Sequence, residues 1–254
     1  DFVLGSLGTD DIDGGNGGNA WFDQISFATA GGAGLDIVFD GDNSGTIDGT
    51  DIEIDGTTGV VHTTFNDIEH VSGSQGNDTF TLEDTYVPSG EASRIFIDYT
   101  GDTARGEAHF MDVSGGDGND SFTDNSTVPG GTLLVSYDGE TLMHEGMDDG
   151  HAWGTRAYEN GVIVNLSGDD KVDGVDYFTT VVTYDSVAAG SAIDTYGNVD
   201  TFHGVNQFWL TKAADIFFAS DDGSFASGDW GDDTLIGGAG DDLFIGGGGN
   251  DKID

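Results

Sequence analysis

Apolar residues in this chain fall in short runs with polar residues interleaved, and not at helical spacing. RIFIDY (94–99), TLLVSY (132–137), GVIVNL (161–166) and TTVVTY (179–184) are rich in β-branched and aromatic residues, the composition of half-buried strands. No segment combines a 3.6-residue apolar stripe with capping residues, and the only prolines, Pro88 and Pro129, sit in turn-like surroundings. The pattern predicts an all-β chain.

At the C-terminus the apolar period becomes nine. Residues 228–254 read GDWGDDTLI GGAGDDLFI GGGGNDKID, with a large apolar residue at the eighth place of each nonad (Leu235, Phe244, Ile253). Aspartate holds the sixth place (Asp233, Asp242, Asp251), and glycine the first and fourth (Gly228, Gly231, Gly237, Gly240, Gly246, Gly249). Glycine lets the backbone turn tightly and brings its carbonyl oxygens close to one point. Carbonyl and carboxylate oxygens are the ligands a hard cation such as Ca2+ prefers, so these groups, recurring every nine residues, are candidate ligands. The same phrase recurs at 5–13, 14–22 (with Asn19 in the aspartate place), 73–81 and 115–123, adding Asp10, Asp78 and Asp120.

This nonad resembles the RTX, or haemolysin-type calcium-binding, repeat of secreted bacterial proteins. The resemblance implies a parallel β-roll, a kind of β-solenoid, with two nonads per coil, several Ca2+ ions in its turns and type I secretion as the usual export route. Residues eighteen apart should then stack on one edge. Asp233 and Asp251 are expected on one edge sharing an ion, Asp242 on the other facing Ser224, and Asp10 facing Ala28.

The organisation expected is nonads at 1–22, a β-solenoid segment at 23–123, a degenerate solenoid segment at 124–227 and nonads again at 228–254. Residues 65–82 (FNDIEHVSGSQGNDTFTL) align without gaps on 202–219 (FHGVNQFWLTKAADIFFA), matching Phe65 to Phe202, Ile68 to Val205, Asp78 to Asp215 and Phe80 to Phe217. Leu210, Thr211 and Ala213 stand in the glycine-rich part of the second copy, which is read as a coil that has shed its calcium. Residues 138–160 fit no repeat and are expected to form an irregular insertion.

A second calcium pattern lies at 40–51, DGDNSGTIDGTD, which matches the twelve-residue loop of EF-hands. Its donors would be Asp40, Asp42, Ser44, the Thr46 carbonyl, Asp48 and Asp51, with Ile47 as the apolar anchor. The flanks read as strands, so a calcium loop on a β scaffold is expected. A weaker echo at 165–176 has Asp170 in place of the required glycine and Lys171 among the donors.

Composition narrows the partners. With 48 acidic and 6 basic residues the net charge is -42, which repels nucleic acid and anionic membrane and favours cations. Hydrophobic residues make up 36%, with 16 Phe, enough for a core; the absence of Cys leaves metal as the natural staple. No run approaches the roughly 18 apolar residues of a membrane span, and no signal peptide precedes Asp1, as expected of a mature or excerpted secreted segment. Enzyme signatures fail: His144–Glu145 opens a zinc-protease motif, but Asp148 occupies the place of its second His, and there is no GxSxG. Trp21, Trp153, Trp209 and Trp230 read as core or cap residues in preference to sugar-stacking ones. The expected role is a non-enzymatic, calcium-stabilised structural or adhesive element at the cell surface or outside it. An accessory module of a secreted polysaccharide-modifying enzyme, lipase or protease is the alternative, and self-association or a surface glycan are the further partners left open.

Overall fold

The computed structural model describes residues 2–15, 23–40, 44–68, 70–84, 109–126, 131–137, 161–169, 171–172 and 186–254. The strands expected at 94–99 and 179–184, the insertion at 138–160, and Asn19, Asp42, Trp21 and Trp153 lie outside them. The described residues are all β, contain no helix, and pair mostly in parallel. They pack as two compact units, Asp1–Gly116 with Ser121–Leu134, and Asp117–Asp120 with Val135–Asp254.

In the first unit one sheet runs in the order Phe2–Leu4, Gln24–Ser26, His70–Ser72 and His109–Ser114, every neighbour parallel. The other runs Gly8–Asp13, Thr57–Asn66, Gly45–Ile54, Asp36–Phe39, Thr79–Leu82 and Ser121–Asp124. Its middle is an antiparallel hairpin that turns at Asp55 (φ 51°) and Gly56 (φ 73°), the left-handed pair that a two-residue Asp-Gly hairpin turn requires. Ile47 and Ile52 are five positions apart and would face opposite sides of a regular strand, yet both are fully buried. A bulge reconciles them. Gly49 pairs with Val61 but Ile52 with Gly59, one extra residue that Asp51 absorbs at φ 59°. Phe80 and Phe122, the eighth residues of the two isolated nonads, stack at 4.9 Å.

The second unit is more regular. Gln207 pairs with Phe225 and Phe225 with Leu243 in one sheet; Ile216 pairs with Thr234 and Thr234 with Lys252 in the other. All four steps are eighteen residues. The eighth residues point between the sheets, where Phe208, Phe217 and Leu235 are fully buried and the Phe208–Phe217 and Phe217–Phe244 rings lie 5.5 and 5.9 Å apart. Burying a Phe or Leu side chain contributes about 1.5–3 kcal/mol, and each fully buried member of this ladder adds a share of that order to the unit. Upstream, Ile163–Asn165 pairs in parallel with Ile216–Phe218 across 53 residues, the interval being filled by antiparallel strands such as Ser191–Ile193 and Val199–His203.

Candidate metal-binding turns

The turns between these strands place the sixth residue of each nonad under its own first residue. A Cβ on Gly228 would fall 2.6 Å from the Gly246 carbonyl oxygen and closer still to Asp233 Oδ2. Only glycine fits there. The same crowding sets Gly237 against Asp242, with 2.9 Å to its Oδ2, and Gly246 against Asp251. At the fourth position Gly231 (φ 130°) and Gly249 (φ 146°) take backbone conformations that L side chains avoid, each pressed against a carbonyl eighteen residues upstream.

The sixth residues form ladders. Val162 N–H donates to Asp215 Oδ1 at 2.8 Å, Asp215 N–H to Asp233 Oδ1 at 2.9 Å, and Asp233 N–H to Asp251 Oδ1 at 3.2 Å. Asp233 and Asp251 therefore share one edge, as the nonad phase predicts. On the other edge Ser224 N–H donates to Asp242 Oδ1 at 2.8 Å, and Gly238 N–H to Asp242 Oδ2 at 2.9 Å.

Asp233 is the informative member. It is 1% exposed, and no hydrogen-bond donor among the described residues reaches its buried Oδ2. Burial first, and then the charges of Asp251, Asp229 and Asp232, push its carboxyl up to about 7 against the opposing Asp215 N–H bond. A buried carboxylate oxygen with no donor and three like charges nearby is costly unless a cation joins it. With the Gly246 carbonyl also turned to this spot, the donor set is all oxygen, which suits Ca2+. Among the described residues no three His, Asp or Glu side chains converge ready-made, so backbone carbonyls belong to any such shell.

Asp78 and Asp120 are both buried, at 1% and 2% exposure. Asp78 accepts from Leu35 N–H and from the Ser74 N–H and hydroxyl; burial still raises its carboxyl to about 6. Asp120 N–H donates to Asp200 Oδ1, and the Tyr137 hydroxyl to Asp200 Oδ2, at 2.9 and 2.8 Å. Burial, and after it the Asp194 charge, raises Asp200 to about 7. Neither Asp200 nor Tyr137 belongs to any motif, and no sequence signal marks them. Asp10 bonds Ser6 and faces Thr63, not Ala28, because the hairpin strand Thr57–Asn66 takes the neighbouring place in the sheet.

The structure does not gather the EF-hand-like set. Asp40 N–H bonds the Ser44 carbonyl, and the chain from Gly45 onward is the extended hairpin strand. Thr46 lies between Val38 and Thr64, Asp48 between Asp36 and His62, and Asp51 sits in the bulge. At about 3.3 Å per residue Ser44 and Asp51 are on the order of 20 Å apart, whereas ligands of one calcium lie within about 5 Å of each other. The alternation that buries Ile47 points Asp48 outward, where it meets His62 Nδ1 at 2.6 Å. At the weaker echo, Asn165 is fully buried and its amide donates to the carbonyls of Val187, Ala188 and Asp169. Trp230 is 63% exposed at the third place of a glycine turn, which excludes the core half of the core-or-cap expectation. No helix among the described residues is long and apolar enough to cross a membrane.

No curated protein matches the chain. The family described as RTX calcium-binding nonapeptide repeat (4 copies) matches residues 227–254, so the segment whose aspartates form the Asp233–Asp251 ladder carries this calcium-binding repeat.

Proposed function

We propose that this chain is a calcium-stabilised structural or adhesive segment of a secreted or cell-surface bacterial protein. Residues 207–254 are its β-roll, with Ca2+ held by Asp233, Asp242 and Asp251 and by the carbonyls of the glycine turns. The observation that carries this reading is the donorless, buried Oδ2 of Asp233 in an eighteen-residue stack of aspartates. The RTX repeat supports calcium binding and is typical of secreted bacterial proteins. When bound, calcium supplies positive charge to the turns; the chain's own residues supply the oxygens and the apolar ladder behind them. At -42 net charge, a cation-dependent fold exposed to millimolar extracellular calcium is physically coherent.

The role is non-enzymatic, supported by the broken HExxH motif and the missing nucleophile elbow. Equilibrium dialysis of the full chain against calcium, with magnesium as control, tests the metal reading: several calcium ions should bind with dissociation constants of about 0.1–1 mM, and no calcium binding would refute it. Turnover of a peptide, ester or polysaccharide by the same preparation would refute the non-enzymatic reading and favour the enzyme-linked alternative.

A further inference from the structure

Four nonads carry a hydroxyl residue at the second position: Ser6, Ser74, Thr211 and Ser220. In each the hydroxyl is bonded to the sixth residue. Ser6 reaches Asp10 at 2.6 Å, Ser74 reaches Asp78 at 2.8 Å, Thr211 reaches Asp215 at 2.8 Å, and Ser220 meets the Ser224 hydroxyl at 3.2 Å. The nonads starting at 115, 228, 237 and 246 have Gly116, Asp229, Gly238 and Gly247 at that place and no hydroxyl to offer.

The Ser74 and Thr211 turns share one network, although 137 positions separate them. The second residue's N–H donates to Oδ2 of the sixth, at 2.6 Å for Ser74 and 2.9 Å for Thr211. The hydroxyl oxygen in turn accepts the N–H of the fourth residue, Gly76 or Ala213, at 3.0 Å in both. The strand one coil upstream adds Leu35 N–H to Asp78 and Val162 N–H to Asp215. Leu210 and Ala213 replace glycines without disturbing this pattern, so the hydroxyl and the carboxylate are what the turn retains.

The contrast with Asp233 is one of partners. Asp215 is fully buried and holds three donors on four lone-pair positions, whereas Asp233 holds one donor on Oδ1 and none on Oδ2. Nonad 210–218 contains one acid, Asp215, beside Lys212; nonad 228–236 contains Asp229, Asp232 and Asp233. The Ser220 turn is the limiting case. It keeps the N–H bond from the second residue to the sixth at 3.0 Å with a hydroxyl, and no carboxylate, at the sixth place.

We propose that the second-position hydroxyl takes the place of calcium in these turns: those of Ser74–Asp78, Thr211–Asp215 and Ser220–Ser224 close without metal, and Asp78 and Asp215 are hydrogen-bond hubs, not ligands. This rests on the reading that the hydroxyl-free nonads of 228–254 bind calcium. The molecule then combines permanent turns with calcium-conditional ones, the choice being written at a single position of the nonad.

Calcium bound per full-length chain is measured by equilibrium dialysis with atomic emission for the parent, D78N, D215N and D233N. D78N and D215N should bind as many ions as the parent, and D233N one fewer. Loss of an ion from D78N or D215N would overturn the proposal; a parent that binds no calcium would instead refute the proposed function. Amide hydrogen exchange of the unaltered chain in EGTA avoids any variant that fails to fold. Residues 72–82 and 209–219 should keep slow exchange while 228–254 accelerate by about tenfold or more. Equally fast exchange in all three would overturn the proposal, and continued protection of 228–254 would count against the calcium reading beneath it.

Discussion

The strands between Asp36 and Asp124 and those between Gln207 and Ile253 use the same nonad phrase to opposite ends. In the first region parallel neighbours are 42 or 43 residues apart, Asp36 to Thr79 and Thr79 to Ser121, with a bulged hairpin intervening. In the second the step is eighteen throughout. The longer intervals leave Ile37, Phe39, Ile47, Ile52 and Val61 all fully buried, and the nonad turn there is closed by the Ser74 hydroxyl on Asp78. The eighteen-residue repeats carry strands of two or three residues, with Phe208, Phe217 and Leu235 fully buried between the sheets. Their last 27 residues carry seven Asp against one Lys. A thin core under concentrated charge cannot hold its turns by hydrophobic burial alone, and a divalent cation is the physical remedy.

The sharpest way to break this comparison is at Gly228. Alanine there drives a Cβ into Asp233 and the Gly246 carbonyl, so G228A should cost about 3 kcal/mol through overpacking and displacement of the turn oxygens. Thermal denaturation in calcium should show this loss, while the matched G56A at the exposed hairpin tip, where a Cβ meets nothing, should cost only the left-handed strain of about 1 kcal/mol.

D233N should change sign with the medium. In calcium at tenfold excess over the dissociation constant it should lose about 1.4 kcal/mol, one site's worth of linkage. In EGTA it should raise the melting temperature, because it removes a buried charge that faces Asp251, Asp229 and Asp232. A variant less stable than the parent in both media would contradict the role assigned to Asp233.

A smaller effect concerns pH in the absence of metal. Burial raises the folded-state carboxyls of Asp200 and Asp233 to about 7 from the ordinary aspartate value of 3.8, so between those values the folded chain binds more protons than the unfolded one. Stability in EGTA should therefore rise as pH falls from about 7 towards 4, by at most about 1.4 kcal/mol per pH unit for each group. Melting curves at pH 7.5, 6 and 5 in EGTA would check the direction, and calcium should flatten the Asp233 part of the slope. The smallest change is expected at the surface pair His62–Asp48: D48N should alter stability by under about 1 kcal/mol and leave the number of bound calcium ions unchanged.

The C-terminal phase was legible because nothing interrupts it. Leu235, Phe244 and Ile253 mark the strands, and the two nonads per coil that the resemblance implies place Asp233 above Asp251 and apart from Asp242. The hairpin was not legible, because its acid-rich turn and outer face satisfy a loop consensus in one dimension. The pairing of 45–48 with 36–39 on one side and with 62–65 on the other shows that the segment is a strand, and the bulge at Asp51 brings Ile52 to the side of Ile47. The alignment of 65–82 on 202–219 held at Asp78 and Asp215, with Phe80 and Phe217 both fully buried behind them, while Phe202 is only half-buried where Phe65 is buried. The same alignment pairs Ser74 with Thr211; what the letters do not carry is that both hydroxyls are bonded to the sixth-place carboxylate, because the chemistry of a hydroxyl depends on the turn that aims it. Asp200 and Tyr137 meet through partners far apart in sequence, and no local pattern announces them.

The most direct test of the account is far-ultraviolet circular dichroism of the full chain in excess EGTA, followed by titration with calcium. The account predicts a weakened β signal without metal that grows on adding calcium, through transitions of about 0.1–1 mM, and does not grow with magnesium at the same concentrations. A β spectrum that is already complete in EGTA and unchanged by calcium would contradict it.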